Sequence, residues 1–207
     1  MNTIYLASGS PRRREILENL GYRVARLHAE TDETPYLHEA AAAYTARMAF
    51  EKNAAAVAHW QAQRPFAPEY PLLSADTTVA LHNRILGKPQ SIADAADMLR
   101  RLSGTTHQVL TAVCVYWQSS THALLQQSDV TFKTLSEAEI AAYIACGEPM
   151  DKAGAYGIQG LGGVFVENLR GSFTGVMGLP VFETVSLLKS LGLNTPPFSD
   201  GLQASAG

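Results

Sequence analysis

The chain has 207 residues, enough for one domain or for one domain with a small extra lobe. Hydrophobic residues make up 46% and charged residues 17%, below the roughly 25% of an average globular chain, which excludes a disordered or coiled-coil protein. The formal net charge of −3 argues against a general nucleic-acid binder, so no stable nucleic-acid partner is expected, although a local cluster of cations can still hold a small anion.

In chain order, residues 4–7 read as a short buried strand. Ser8-Gly9-Ser10-Pro11 is a turn that opens a helix, with Ser10 as N-cap, Pro11 at the first helical position and Gly21 just past the end. That helix buries Ile16, Leu17 and Leu20 at helical spacing. Residues 22–28 alternate as a second strand, and residues 39–61 form a long, alanine-rich helix pattern. A proline-rich connector (65–71) leads into a buried strand over 71–81, interrupted by Asp76. Residues 91–102 are a helix with Gly104 as its stop.

Residues 106–117 and 124–135 predict a large hairpin joined by 118–122. A capping box, Ser136 with Glu139, opens a helix over 136–146. Residues 147–163 read as a glycine-rich loop, 164–169 as a strand and 179–191 as a final helix. The tail 194–207 is polar and reads as frayed. Strands alternating with helices predict an α/β domain with a mainly parallel centre. Cys114 and Cys146 are isolated and read as two reduced thiols. The opening MNTIYLAS meets arginines too soon for a signal peptide, and no run reaches the ~18 apolar residues of a membrane span, so a cytoplasmic protein with no membrane partner is expected.

Several segments invite a chemical reading. In SGSPRRR, a helix N-terminus offers free N–H groups and a partial positive charge to an anion. Arginines at this pole oppose the helix dipole, so they point to an anion site; the alternative is a solvated basic turn. Asp76 lies inside an apolar strand, where a carboxylate is costly unless paired or metal-bound. It can bind a divalent cation or take a proton from an attacking water, or simply bond backbone N–H groups. Asp32-Glu33, Lys52 and Lys88 would each pass alone for surface charges, although Lys88 sits in a rigid Gly-Lys-Pro turn. Five glycines fall within residues 154–163, more than a plain connector needs, and Gln159 among them can read a base edge.

Together these segments resemble the Maf family of nucleotide pyrophosphatases over about residues 3–192. The matching stretches are LASGSPRRREIL, DE (32–33), EK (51–52), SADTTV, GKP (87–89), LSGTTHQVLTAV, FKTLSEAEIAAY, DKAGAYGIQGLGG and GSFTGVMGLP. The resemblance implies an elongated mixed α/β sheet with flanking helices, in two lobes around a central cleft, close to the inosine triphosphate pyrophosphatases. It implies one catalytic domain over residues 1–193. It implies hydrolysis of a nucleoside triphosphate to the monophosphate and pyrophosphate with Mg2+ or Mn2+, limiting the incorporation of non-standard nucleotides and affecting cell division.

By the same resemblance Asp76 is the proton acceptor, and Ser8, Arg12 or Arg13, Lys52 and Lys88 handle phosphate. Glu33 and Asp76 stand near the metal. Arg12, Thr77 and Gln159 match the branch acting on dTTP and UTP, modified pyrimidine triphosphates included. Within SGSPRRR, Ser8 and Arg13 are assigned to phosphate, Arg12 to the base and Arg14 to solvent. A homodimer is an open alternative. Two other readings stand beside this one: a regulatory nucleotide- or nucleic-acid-binding protein of septum formation without turnover, and a purine-type pyrophosphatase.

Overall fold

A computed structural model describes residues 3–27 and 30–195. The expected tail beyond residue 195 and His28, at the end of the expected second strand, lie outside the described residues.

The strands are β1 (Thr3–Ala7), β2 (Arg23–Arg26), β3 (Leu72–Leu81), β4 (Arg84–Leu86), β5 (Thr106–Trp117), β6 (Ser120–Phe132) and β7 (Val166–Arg170). They form one mixed sheet in the order β2-β1-β3-β5-β6-β7, with β4 paired to β3. Only β1 runs parallel to its neighbours, β2 and β3; every other pairing is antiparallel. The expectation of a mainly parallel centre is therefore corrected. Two tight turns account for much of the difference. His82-Asn83 joins β3 to β4 and Gln118-Ser119 joins β5 to β6, each residue at positive φ as two-residue hairpin turns require. Strand β6 starts at Ser120, not 124, because its polar residues at 120–122 continue the ladder opposite Val115, Tyr116 and Trp117.

The helices are α1 (Pro11–Asn19), α2 (Ala41–Gln63), α3 (Ile92–Leu102), α4 (Glu137–Ala145), α5 (Phe173–Met177) and α6 (Val181–Ser190). Ser91 and Ser136 cap α3 and α4 as expected, and Ser136 with Glu139 completes the capping box. Ser10 does not: its side chain caps nothing, and its own N–H donates to Ser8 Oγ instead. Gly21, at φ 85°, ends α1, with its N–H on Glu18 O and that of Tyr22 on Leu17 O.

Successive side chains of a strand face opposite sides, and this sorts the core. On one face of β3 and β5, small residues meet α2: Ala56 lies against Leu72, Ala41 against Ala80, and Ala49 against Ala112 and Cys114. On the other face there are two apolar clusters. One joins Leu73, Ala75, Val113 and Val115 to α1 and α6. The other joins Val79 and Val109 to α3, α4 and the 153–165 segment. Thr77 and Thr111, paired across the ladder, occupy the waist between them.

Candidate active site

Along one edge of β3, β1 pairs with residues 72–74 and β4 with residues 79–81. The opposite edge is covered by β5 from residue 72 to residue 80. Among the described residues no strand covers the first edge between Ser74 and Val79, so Asp76, Thr77 and Thr78 lie at a gap in the sheet. A cleft of about 830 Å3 opens over it. Its lining includes Ser8, Arg12, Arg13, Glu33, Lys52, Asp76, Thr77, Lys88 and Gln159, so the structure gathers every residue that the sequence nominates.

Asp76 and Thr77 point to opposite faces of β3 and serve two different networks. On the α2 face, Lys52 Nζ donates to Asp76 Oδ1 and to Glu33 Oε1, each at 2.7 Å. Thr78 Oγ1 adds a longer contact, 3.4 Å, to Asp76 Oδ2. Helix α2 can bring Lys52 this close because alanines separate it from the sheet and because Asn53 Nδ2 donates to Leu72 O and Cys114 O. Glu33 arrives on a loop held to the same helix. Tyr44 donates to Glu33 O, and Arg47 stacks on the Tyr36 ring, pairs with Glu39 and Glu51 and donates to Thr34 O. Burial, then the negative charges of Asp76 and Glu33, push the Tyr44 phenol up to about 12.

On the opposite face, Arg13 is buried and pinned at three points. Nε donates to Gly178 O at 2.8 Å, and the two terminal nitrogens donate to Ser8 Oγ and Thr77 Oγ1, each at 3.0 Å. Thr111 Oγ1 gives its one proton to Gly175 O, so Thr77 must be the donor in the 2.9 Å Thr77–Thr111 contact. A directed chain results: Arg13 to Thr77, Thr77 to Thr111, Thr111 to the Gly175 carbonyl. Ser8 Oγ accepts from Ser10 N–H and from Arg13, which leaves its O–H free to donate.

The remaining nominated residues line the cleft with fewer ties. Arg12 faces Asp151 at 3.8 Å. Lys88 and Gln159 are exposed, and their side-chain nitrogens have no hydrogen-bond partner among the described residues. Arg14 leaves the site and pairs with Glu18 on the surface. Sequence reasoning assigned nothing to Lys152, Tyr44, Tyr143 or Glu148. The first two line the cleft, and Lys152 Nζ donates to Glu148 O and Asp151 Oδ1. Lysine next to aspartate in DKAG was the only available signal.

The arrangement can hold a polyanion at Ser8, Lys52 and Lys88, with a carboxylate beside it. Glu33 and Asp76 converge on one ammonium, and their hard oxygen donors suit Mg2+ or Mn2+. No group of three His, Cys, Asp or Glu side chains gathers among the described residues.

No helix among the described residues is long and apolar enough to cross a membrane. Among solved structures, the chain is similar to the Ham1 protein of Staphylococcus aureus at 16% identity and a TM-score of 0.42, covering 63% of this chain and 72% of that one, a likeness too partial to carry an argument. Among curated proteins, it is 59% identical to a dTTP/UTP pyrophosphatase of Pasteurella multocida, covering 91% of this chain and 96% of that protein. It is 53% identical to a dTTP/UTP pyrophosphatase of Neisseria gonorrhoeae (95% and 97% covered) and 55% identical to a nucleoside triphosphate pyrophosphatase of Haemophilus ducreyi (94% and 98%). With residues 3–191 matching the family described as Maf-like protein, the chain belongs to the Maf family.

Proposed function

We propose that this chain is a nucleoside triphosphate pyrophosphatase that hydrolyses dTTP and UTP to the monophosphate and pyrophosphate. The observation that carries this reading is Asp76, a buried carboxylate at the gap in β3, facing a cleft where Ser8, Lys52 and Lys88 converge. A site that only held phosphate would gain nothing from a negative charge there, because like charges repel. The names of the relatives above support the same reaction and the same pyrimidine substrates.

In this mechanism a triphosphate lies across the cleft. Lys88 and the free Ser8 O–H donate to its oxygens, and Lys52 bridges from Asp76 towards them. Water attacks the α-phosphorus, the bond from that phosphorus to the bridging oxygen breaks, and pyrophosphate leaves with those electrons. Asp76 takes the water's proton. A divalent cation, Mg2+ or Mn2+, would be held by Glu33 and Asp76 and would neutralise phosphate charge. Arg13 acts here as a buried pin that sets Ser8 and Thr77, which differs from a direct grip on phosphate. Gln159 and Arg12 face the base; Thr77 is spent on Arg13 and Thr111, so its influence on the substrate runs through that network. The setting that goes with this reading is the cytoplasm, with no stable nucleic-acid partner, in keeping with the net charge of −3.

Asp76→Asn keeps the size of the side chain and removes the base. Pyrophosphate release from UTP with Mg2+ is expected to vanish while UTP binding persists by calorimetry. A variant that keeps more than about a tenth of the wild-type rate would overturn the assignment, since a positioned general base contributes about 100-fold or more. Release from ITP but not from dTTP or UTP would favour the purine-type reading instead.

A further inference from the structure

Gln159 sits in a turn whose two arms are tied to one side-chain pair. Glu148 Oε1 accepts from Tyr143 Oη at 2.8 Å and from Gly162 N at 3.1 Å, and Glu148 Oε2 accepts from Leu161 N at 2.9 Å. Tyr143 Oη in turn accepts from Gly157 N at 3.2 Å. The backbone is therefore held on both sides of Gln159, by residues from the end of α4 and the turn after it. Gly157 lines the cleft beside Gln159, but neither Tyr143 nor Glu148 does.

This wrapping explains the glycines. A Cβ on Gly160 would lie 2.5 Å from Glu148 Oε1, one on Gly162 would lie 2.6 Å from Tyr143 Oη, and one on Gly157 would lie 2.7 Å from Lys152 Cε. The chain must be bare of side chains here to close around the carboxylate. Burial alone would raise the Glu148 carboxyl, but the bonds from Tyr143, Leu161 and Gly162 outweigh it and hold it below the ordinary carboxylate range. The pair also reaches the other side of the base pocket. Lys152 joins the Glu148 backbone carbonyl to Asp151, and Asp151 faces Arg12.

A glutamine amide carries a donor at one end and an acceptor at the other. Uracil offers N3–H as donor and O4 as acceptor, whereas cytosine offers N3 as acceptor and its 4-amino group as donor, so the two bases exchange that pattern at two adjacent positions. A backbone held on both sides of Gln159 fixes where its side chain meets the base and so favours one pattern; a loose backbone lets the amide serve both. We propose that Tyr143 and Glu148 are positioning residues that fix Gln159 and thereby set which pyrimidine the cleft accepts, without touching the nucleotide. This rests on the proposed role of Gln159 at the base.

The test measures kcat and KM for UTP and CTP in the wild type and in Tyr143→Phe, Glu148→Gln and Gln159→Ala, with melting curves for each. Tyr143→Phe keeps the ring packed on Phe165 and removes only the hydroxyl, so it retains the fold. The UTP-to-CTP ratio of kcat/KM is expected to fall about fivefold or more in Tyr143→Phe and Glu148→Gln, chiefly through KM, and at least as far in Gln159→Ala. If Gln159→Ala lowers the ratio while the other two variants keep it, the positioning role is overturned and the base-reading role stands. If Gln159→Ala keeps the wild-type ratio, the base-reading role falls and the positioning role falls with it. Equal losses for both nucleotides, alongside a lower melting temperature, would mark a purely structural pair and also overturn the proposal.

Discussion

Thr111 is not among the residues that line the cleft, yet it completes the chain of donors that begins at Arg13. Valine has nearly the same shape and suits a strand, so Thr111→Val isolates the hydroxyl. It leaves the Thr77 proton without a partner and takes one of two donors from the Gly175 carbonyl, which keeps Gly178 N–H, a cost of about 1–3 kcal/mol by urea unfolding. Turnover of UTP should fall as well, because Thr77 no longer holds Arg13 in one place, whereas Thr111→Ser should restore both. This network was not legible in the sequence. Arg13 stood out in SGSPRRR, but only as an anion contact; Thr77 and Gly178 give no local sign of a tie to it, and only folding shows that the three share hydrogen bonds across long separations. Asp76 was legible, because a carboxylate inside PLLSADTTVAL conflicts with its surroundings whatever the fold. Lys52 gained meaning only once α2 lay against β3.

Elements with their own punctuation were the ones the sequence revealed. Helix α4 shows why: Ser136 N–H donates to Glu139 Oε2 and Glu139 N–H to Ser136 Oγ, a local bond pair that needs no tertiary contact. Ser136→Ala should destabilise the protein by about 1 kcal/mol in urea while leaving UTP turnover unchanged, since the cap lies at the end of α4 away from Tyr143. Elements without such signals escaped. Strand β4 has three residues and α5 has five, too few for a period to show. The loop expected at 147–163 is instead a run of short 3-10 turns around Glu148, and Gly154 within it sits at φ 68°, where a Cβ would lie 2.8 Å from Val79 Cγ1. Strand direction also escaped, because alternation of strands with helices says nothing about the tight antiparallel returns at 82–83 and 118–119.

At the scale of the whole molecule, the second apolar cluster contains a buried imidazole. His107 bonds the Tyr156 hydroxyl through Nε2 at 2.8 Å, meets Phe132 and Tyr156 edge-on, and has no partner for Nδ1. Burial pulls it from 6.5 down to about 4. The unfolded chain therefore binds a proton that the folded chain refuses between these values, and stability falls as the pH drops from 6.5 towards 4. The loss amounts to about 3 kcal/mol, and His107→Phe should remove it, as urea unfolding of both proteins at pH 7 and pH 4.5 would reveal. The sheet that carries this core ends in β2 and β7, of four and five residues, with Arg23, Arg26, Glu167 and Arg170 exposed along them. Short, charged rims are poor templates for another chain, which discourages edge-to-edge aggregation at these two ends as the protein accumulates.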